Sequence, residues 1–234
     1  MSESQMGRAV EAVVFDVGRV LYRWDLRILF EKLIDDEERL NFLLSEVVTE
    51  EWHFQHDAGR PLADMVPERQ AQFPDYAGAI DAYATRFNET IPGPVPGSLE
   101  IVRELHERSI PLYAITNFGA EFWDGFRPTA PIFDLFRDIV VSGKERIAKP
   151  ADAIFALAAR RFGCDPEKLL FIDDNAANIA AARALGISCR SSASATVSSF
   201  CSGCACVAAQ RRHSASSHPL SSSMLAKRRR GWKK

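Results

Sequence analysis

Long apolar runs are missing from this 234-residue chain. None approaches the roughly 20 residues that cross a bilayer. The opening stretch, MSESQMGR, holds no apolar core of the kind a signal peptide carries. These absences set the expectation of a cytoplasmic protein with no membrane partner. Cysteine is all but missing from the first 186 residues, where Cys164 stands alone; Cys189, Cys201, Cys204 and Cys206 follow later. A lone thiol excludes a disulfide framework and suits a reducing compartment. Acids are missing from the other end. From Ile187 to Lys234 there are nine Lys or Arg and no Asp or Glu, so of 29 basic and 31 acidic residues the preceding part holds 20 and 31, a balance of -11. So acidic a body repels phosphate backbones, and no nucleic acid is expected as its partner.

Hydrophobic residues make up 47% of the chain, enough for one sizeable domain or a domain with a modest insertion. Val13 to Asp16 reads as a short buried strand that ends on a carboxylate, with Gly18 two positions on. Helical patterning follows. DLRILFEKLI spaces Leu26, Leu29, Phe30 and Leu33 as one apolar face, and DEERLNFLLSEVV carries acids in its first turn. Further helices are expected over Leu62 to Gln72 and Tyr76 to Thr90, until IPGPVPGS breaks the periodicity. Strand and helix then alternate. SLEIVRELHER is a helix and IPLYAIT a strand, followed by irregular sequence to Phe136; DIVVSG and KLLFID are strands, and DAIFALAARRFG and NAANIAAARALG helices.

This order predicts an α/β fold, a doubly wound parallel sheet built of right-handed βαβ units and interrupted early by an all-helical insertion. The expected boundaries are 10–21 and 93–187 for the α/β core, 22–92 for the insertion and 188–234 for a low-complexity basic tail. Another strand and a closing helix are due after ALGI, and neither is evident. The tail is dense in Ser, Ala, Cys and Arg, reads as disordered, and resembles out-of-frame translation starting near Ile187. Its CSGCAC lacks the two separated ligand pairs of a structural zinc site.

In open parallel sheets, ligands bind outside the carboxyl ends of the strands, at the switch in strand order. The residues due at those ends are Asp16, Thr116 and Asn117, Lys149 beyond DIVVSG, and Asp173 with Asp174. An aspartate can attack phosphorus or an activated carbon and form a covalent intermediate. Charge on a phosphoryl group calls for cations and hydrogen-bond donors, which Lys149 and Thr116 can supply. Carboxylates from two strands also suit Mg²⁺. Alternative roles remain for some of them. Asp173 and Asp174 could cap the helix that begins near Asn175, and Thr116 could bond the backbone.

The motifs VVFDVGRVL, AITN, KP and LLFIDDNAANI, in this order over residues 12 to about 186, resemble the haloacid dehalogenase (HAD) superfamily. The resemblance implies a Rossmann-like core with a small helical cap. It implies that Asp16 is the nucleophile and also touches Mg²⁺, and that Gly18 lends the metal its carbonyl. It implies that Thr116 and Asn117 bind phosphate, that Lys149 neutralises nucleophile and phosphate, and that Asp174 ligates the metal beside Asp173. Asn178 stands where many members have another acid. One departure matters: most phosphatases of the group carry a second aspartate, the proton carrier, where this chain has Gly18. Asp25, His53, His56 and Asp57 are candidates for that role. Arg19 is a candidate for an anionic substrate or a structural ion pair, and His56 for a substrate contact from the cap.

The expected function is a Mg²⁺-dependent phosphatase of a small phosphorylated metabolite, acting through an aspartyl phosphate. A 2-haloacid dehalogenase using the same aspartate is the first alternative. A catalytically impaired relative or interaction protein is the second.

Overall fold

The computed structural model describes residues 10–192. Seven strands are present among them: β1 (Ala12–Phe15), β2 (Tyr22–Arg23), β3 (Gly93–Pro94), β4 (Leu112–Thr116), β5 (Asp138–Val141), β6 (Leu169–Asp173) and β7 (Ser188–Ser191). Five of these form one sheet in the order β5-β4-β1-β6-β7, every neighbour parallel. The connections therefore run outward from β1 in both directions, and the switch in strand order falls at its end.

Each central strand is apolar on both faces, as a sheet covered on two sides requires. Val13 and Phe15 of β1, Leu112 and Ala114 of β4, and Leu170 and Ile172 of β6 pack into one core. The residues between them, Val14, Tyr113, Ile115 and Phe171, pack into another on the opposite face. The second face is covered by α9 (Asp152–Phe162) and α10 (Ala176–Ala184); the first is covered by α6 (Ser98–Glu107) and α7 (Ala120–Phe126). A single turn, α8 (Ser142–Glu145), follows β5.

The insertion leaves through β2 and returns through β3, which pair antiparallel with Tyr22 opposite Pro94 and Arg23 opposite Gly93. It carries α1 (Arg27–Phe30), α2 (Glu37–Phe42), α3 (Glu50–Asp57), α4 (Leu62–Gln72) and α5 (Ala77–Thr85). Asp36 and Thr49 cap α2 and α3 by accepting from Arg39 N and Trp52 N. The insertion was expected to be all-helical from residue 22; its first two residues are instead strand, because the chain exits through a ribbon.

Two further expectations are corrected. The segment before Phe136 contains α7, whose Phe122, Trp123 and Phe126 turn one aromatic face inward. A strand follows Gly186 after all: Ser188–Ser191 pairs with β6, Leu170 opposite Ser188 and Asp173 opposite Ser191. It is an edge strand of polar residues held by backbone bonds, so hydrophobic patterning does not announce it. The rest of the expected tail, with Cys201, Cys204, Cys206 and the basic cluster, lies outside the described residues. Among those described, no helix is long and apolar enough to cross a membrane.

Candidate active site

β1 ends at the switch point and delivers Asp16. Its amide donates to Ile172 O at 2.9 Å, so the backbone of β6 fixes where its side chain starts. The chain then turns tightly. Tyr22 N donates to Val17 O and Arg19 N to Tyr22 O, bonds that leave the Gly18 carbonyl uninvolved. Arg19 completes the turn at φ +59°, a left-handed conformation that side chains other than glycine adopt at a cost.

Lys149 is the centre of the charge arrangement. Its ammonium lies 2.9 Å from Asp16 Oδ1 and 2.8 Å from Asp173 Oδ2, and the residue is only 1% exposed. A loop lysine is held there by Asn117. The Asn117 side-chain oxygen accepts from Lys149 N at 2.8 Å, and its Nδ2 donates to Lys149 O at 2.9 Å. Asn117, expected to bind phosphate, commits both of its side-chain polar atoms to hydrogen bonds with the Lys149 backbone. Asp173 is fully buried and also accepts from Asn178 Nδ2 at 3.0 and 3.1 Å and from Asn175 N at 2.8 Å. Asn175, not either aspartate, caps α10, accepting from Ala177 N and Asn178 N.

Burial pushes the Asp16 carboxyl up to about 7; Lys149 opposes the rise and the negative Asp173 adds to it. The Lys149 ammonium is held above its ordinary value, since burial would lower it but Asp16 and Asp173 together outweigh burial. Asp174, largely exposed, is raised by partial burial and then by Asp173. Oxygens of Asp16, Asp173 and Asp174 lie within 4.8 Å of one another, a candidate acidic metal-binding cluster. Hard oxygen donors with one face open to solvent fit Mg²⁺, which keeps water and phosphate oxygens among its ligands. Thr116 Oγ1 is buried with no hydrogen-bond partner, a donor without an acceptor at the same end of the sheet.

A cavity of about 190 Å³ opens at this lip, room for a small organic group. Asp16, Gly18, Arg19, Asn117, Lys149 and Asp174 line its core side. Trp24, His53, Asp57 and Phe87 line its cap side. Thr116 and Asp173 are fully buried and do not line it. Arg19 makes an ion pair with Glu50 at 2.5 Å and lies over the Trp24 ring.

His56, expected to touch substrate, does not line the cavity. It is 1% exposed and packs edge-on to Phe122 and against Gly119, where an added Cβ would fall 1.9 Å from its Cδ2. His53, one helical turn earlier, lines the cavity instead. Asp25 is exposed, accepts from Arg27 N at 2.9 Å and does not line the cavity either.

A model of the haloacid dehalogenase-like hydrolases matches residues 10–186. Among characterised proteins, the sesquiterpene phosphatase astK of Aspergillus oryzae is 24% identical over 177 residues, 76% of this chain and 87% of that protein. The glyceraldehyde 3-phosphate phosphatase of Methanopyrus kandleri is 28% identical over 184 residues, 70% and 76% of the two chains. The magnesium complex of the HAD family enzyme BT-2542 from Bacteroides thetaiotaomicron superposes with a TM-score of 0.64 at 22% identity, covering 79% of this chain and 93% of that one. The L-2-haloacid dehalogenase of Xanthobacter autotrophicus, with chloropropionic acid covalently bound, superposes at 0.56 with 16% identity, covering 77% and 76%. The two structural likenesses speak for the fold, and the family match spans four of the five strands of the sheet and every motif at its lip. The chain belongs to the haloacid dehalogenase-like hydrolases.

Proposed function

We propose that this hydrolase is a Mg²⁺-dependent phosphatase of a small phosphorylated metabolite. One observation carries the reading: a buried lysine bridges a strand-end aspartate and a second carboxylate, with a third carboxylate at the open side. Three carboxylates against one ammonium call for a hard cation to balance them, and that cation in turn favours an anionic, oxygen-rich substrate. The two phosphatases to which the chain is similar support it.

In this reading Asp16 attacks phosphorus and forms an aspartyl phosphate, which water then hydrolyses. Lys149 opposes the burial that would otherwise protonate Asp16 and offsets the charge of the transferring group. Asn117 lines the cavity beside the phosphoryl position, while the unpartnered hydroxyl of Thr116 is buried and does not reach the cavity surface. Asp16, Asp174 and the Gly18 carbonyl would hold Mg²⁺, with Asp173 supporting them. The ion would supply charge neutralisation at the phosphoryl oxygens. The residues of the cap side, Trp24 and Phe87 among them, meet the leaving group.

Phosphate release from a panel of phosphorylated metabolites, with and without chelator, tests this. Release that needs Mg²⁺ and disappears in Asp16→Asn is expected. Halide release from 2-haloacids that survives chelation would instead support a dehalogenase, and loss of neither activity in Asp16→Asn would exclude both. Absence of any hydrolysis leaves the impaired relative or interaction protein.

A further inference from the structure

The acid at the end of α3 lines the cavity but has no part in the site described above. It is Asp57, which shares the cavity with Asp16 and is 6% exposed. Its Oδ2 lies 3.3 Å from His53 Nε2, and His53 Nδ1 lies 2.8 Å from the Tyr83 hydroxyl. Burial, then the charges of Asp57 and Glu121, hold the Tyr83 phenol well above its usual range, so the hydroxyl keeps a proton that it can donate to Nδ1. With the hydroxyl donating to Nδ1, the ring proton belongs on Nε2, the nitrogen nearer Asp57. The ring cannot swing away, because it stacks on Trp24 at 4.8 Å and on Phe87 at 5.4 Å.

The backbone is fixed as well. The Asp57 carbonyl accepts from the Ser142 hydroxyl at 2.5 Å, and that hydroxyl oxygen accepts from Phe118 N at 3.0 Å. The last turn of α3 is thereby latched to the start of α8 and to the loop that follows β4. Asp57 Oδ1, however, is buried without any partner. A buried carboxyl oxygen with no partner is costly, and a bound molecule that shares a hydrogen bond with it relieves that cost.

Gly18 supplies the complementary observation. A Cβ there would meet no heavy atom within 4 Å, and its φ is not positive. Neither space nor backbone conformation therefore keeps a side chain out, yet none is present to move a proton. Other nearby groups are occupied or remote. Glu50 lines the cavity but is paired with Arg19 and largely exposed, while Asp25 and His56 do not line it.

We propose that Asp57, oriented by His53, carries the proton in both halves of the reaction; this rests on the phosphatase reading. In the first half an Asp16 oxygen bonds phosphorus as the P–O bond to the leaving group breaks. The proton on Asp57 Oδ1 passes to the leaving oxygen, giving free alcohol and an Asp57 carboxylate. In the second half water returns a proton to Asp57 while its oxygen bonds phosphorus and the bond from phosphorus to Asp16 breaks. Phosphate leaves, and both carboxyl groups are as they began.

The test compares two esters with the full chain and Mg²⁺: benzyl phosphate, whose alkoxide must be protonated, and p-nitrophenyl phosphate, whose phenolate need not be. Because kcat/KM reports the steps up to alcohol release, Asp57→Asn is expected to lower it by about 10²–10³ for benzyl phosphate and less than about tenfold for the nitrophenyl ester. Gly18→Asp added to Asp57→Asn is expected to recover much of the benzyl phosphate activity. Equal losses on both esters, or no loss on either, overturn the proposal. A wild-type chain that cleaves neither ester overturns the phosphatase reading and this one with it. Should Asp57→Asn melt below the assay temperature, His53→Gln takes its place: the same split between esters, at smaller size, supports the proposal, and equal loss overturns it.

Discussion

The ammonium of Lys149 stands 2.9 Å from the carboxylate of Asp16 with almost no water in contact with it. Removing that cation leaves two buried carboxylates facing each other. Lys149→Met is therefore expected to lose about 3–5 kcal/mol of stability, the usual loss when one partner of a buried ion pair is deleted. Denaturant melts of the metal-free chain measure it. Added Mg²⁺ is expected to recover part of the loss, because it restores positive charge to the same carboxylates.

The pH dependence of the metal-free chain follows from Asp16. Its folded value of about 7 lies above the ordinary 3.8, so the folded state binds this proton more tightly than the unfolded one. The stability from this group is fully present below about pH 4 and is lost as pH rises through about 7. Thermal melts in chelator should show that decline in the wild type and a flatter profile in Asp16→Asn. An unchanged slope in the variant would assign the titration to another group.

Asn117 is expected to act on rate through position. Both of its side-chain hydrogen bonds end on the backbone of Lys149. Asn117→Ala frees that loop and is expected to lower kcat by about 10²-fold, the cost of displacing a charged group by about an ångström. Asn117→Asp keeps the acceptor for Lys149 N and should lose less. Steady-state kinetics on any ester that the wild type cleaves separates the two.

Gly119 probes the seating of the cap. Its missing Cβ is what lets the His56 ring approach, so Gly119→Ala forces the two apart and is expected to cost about 1–3 kcal/mol. Adding His56→Ala removes the obstruction, and the double variant should be more stable than the two single losses together imply. Chemical denaturation of the four proteins closes that cycle.

The strands at the centre of the sheet were legible because each is a short apolar run bounded by turn residues, and Asp16, Asn117, Lys149 and Asp174 were legible because each follows such a run or motif. β7 was not, since Ser188, Cys189, Arg190 and Ser191 carry no apolar alternation and pair through backbone atoms. His53 and Asp57 are spaced to meet on one helix, but their link to Tyr83 joins residues far apart in the chain. Nor does spacing decide between His53 and His56, which share α3. Only the packing of Gly119 assigns one to the interface and leaves the other to the cavity.

The ribbon formed by Tyr22–Arg23 and Gly93–Pro94 brings the two ends of the helical insertion side by side. Replacing everything beyond that ribbon with another segment leaves the gap between its ends unchanged, and closure entropy varies only slowly with the length of what bridges it. New leaving groups can thus be reached by exchanging one module at two adjoining splice points, while the five-stranded scaffold and its charged lip stay as they are.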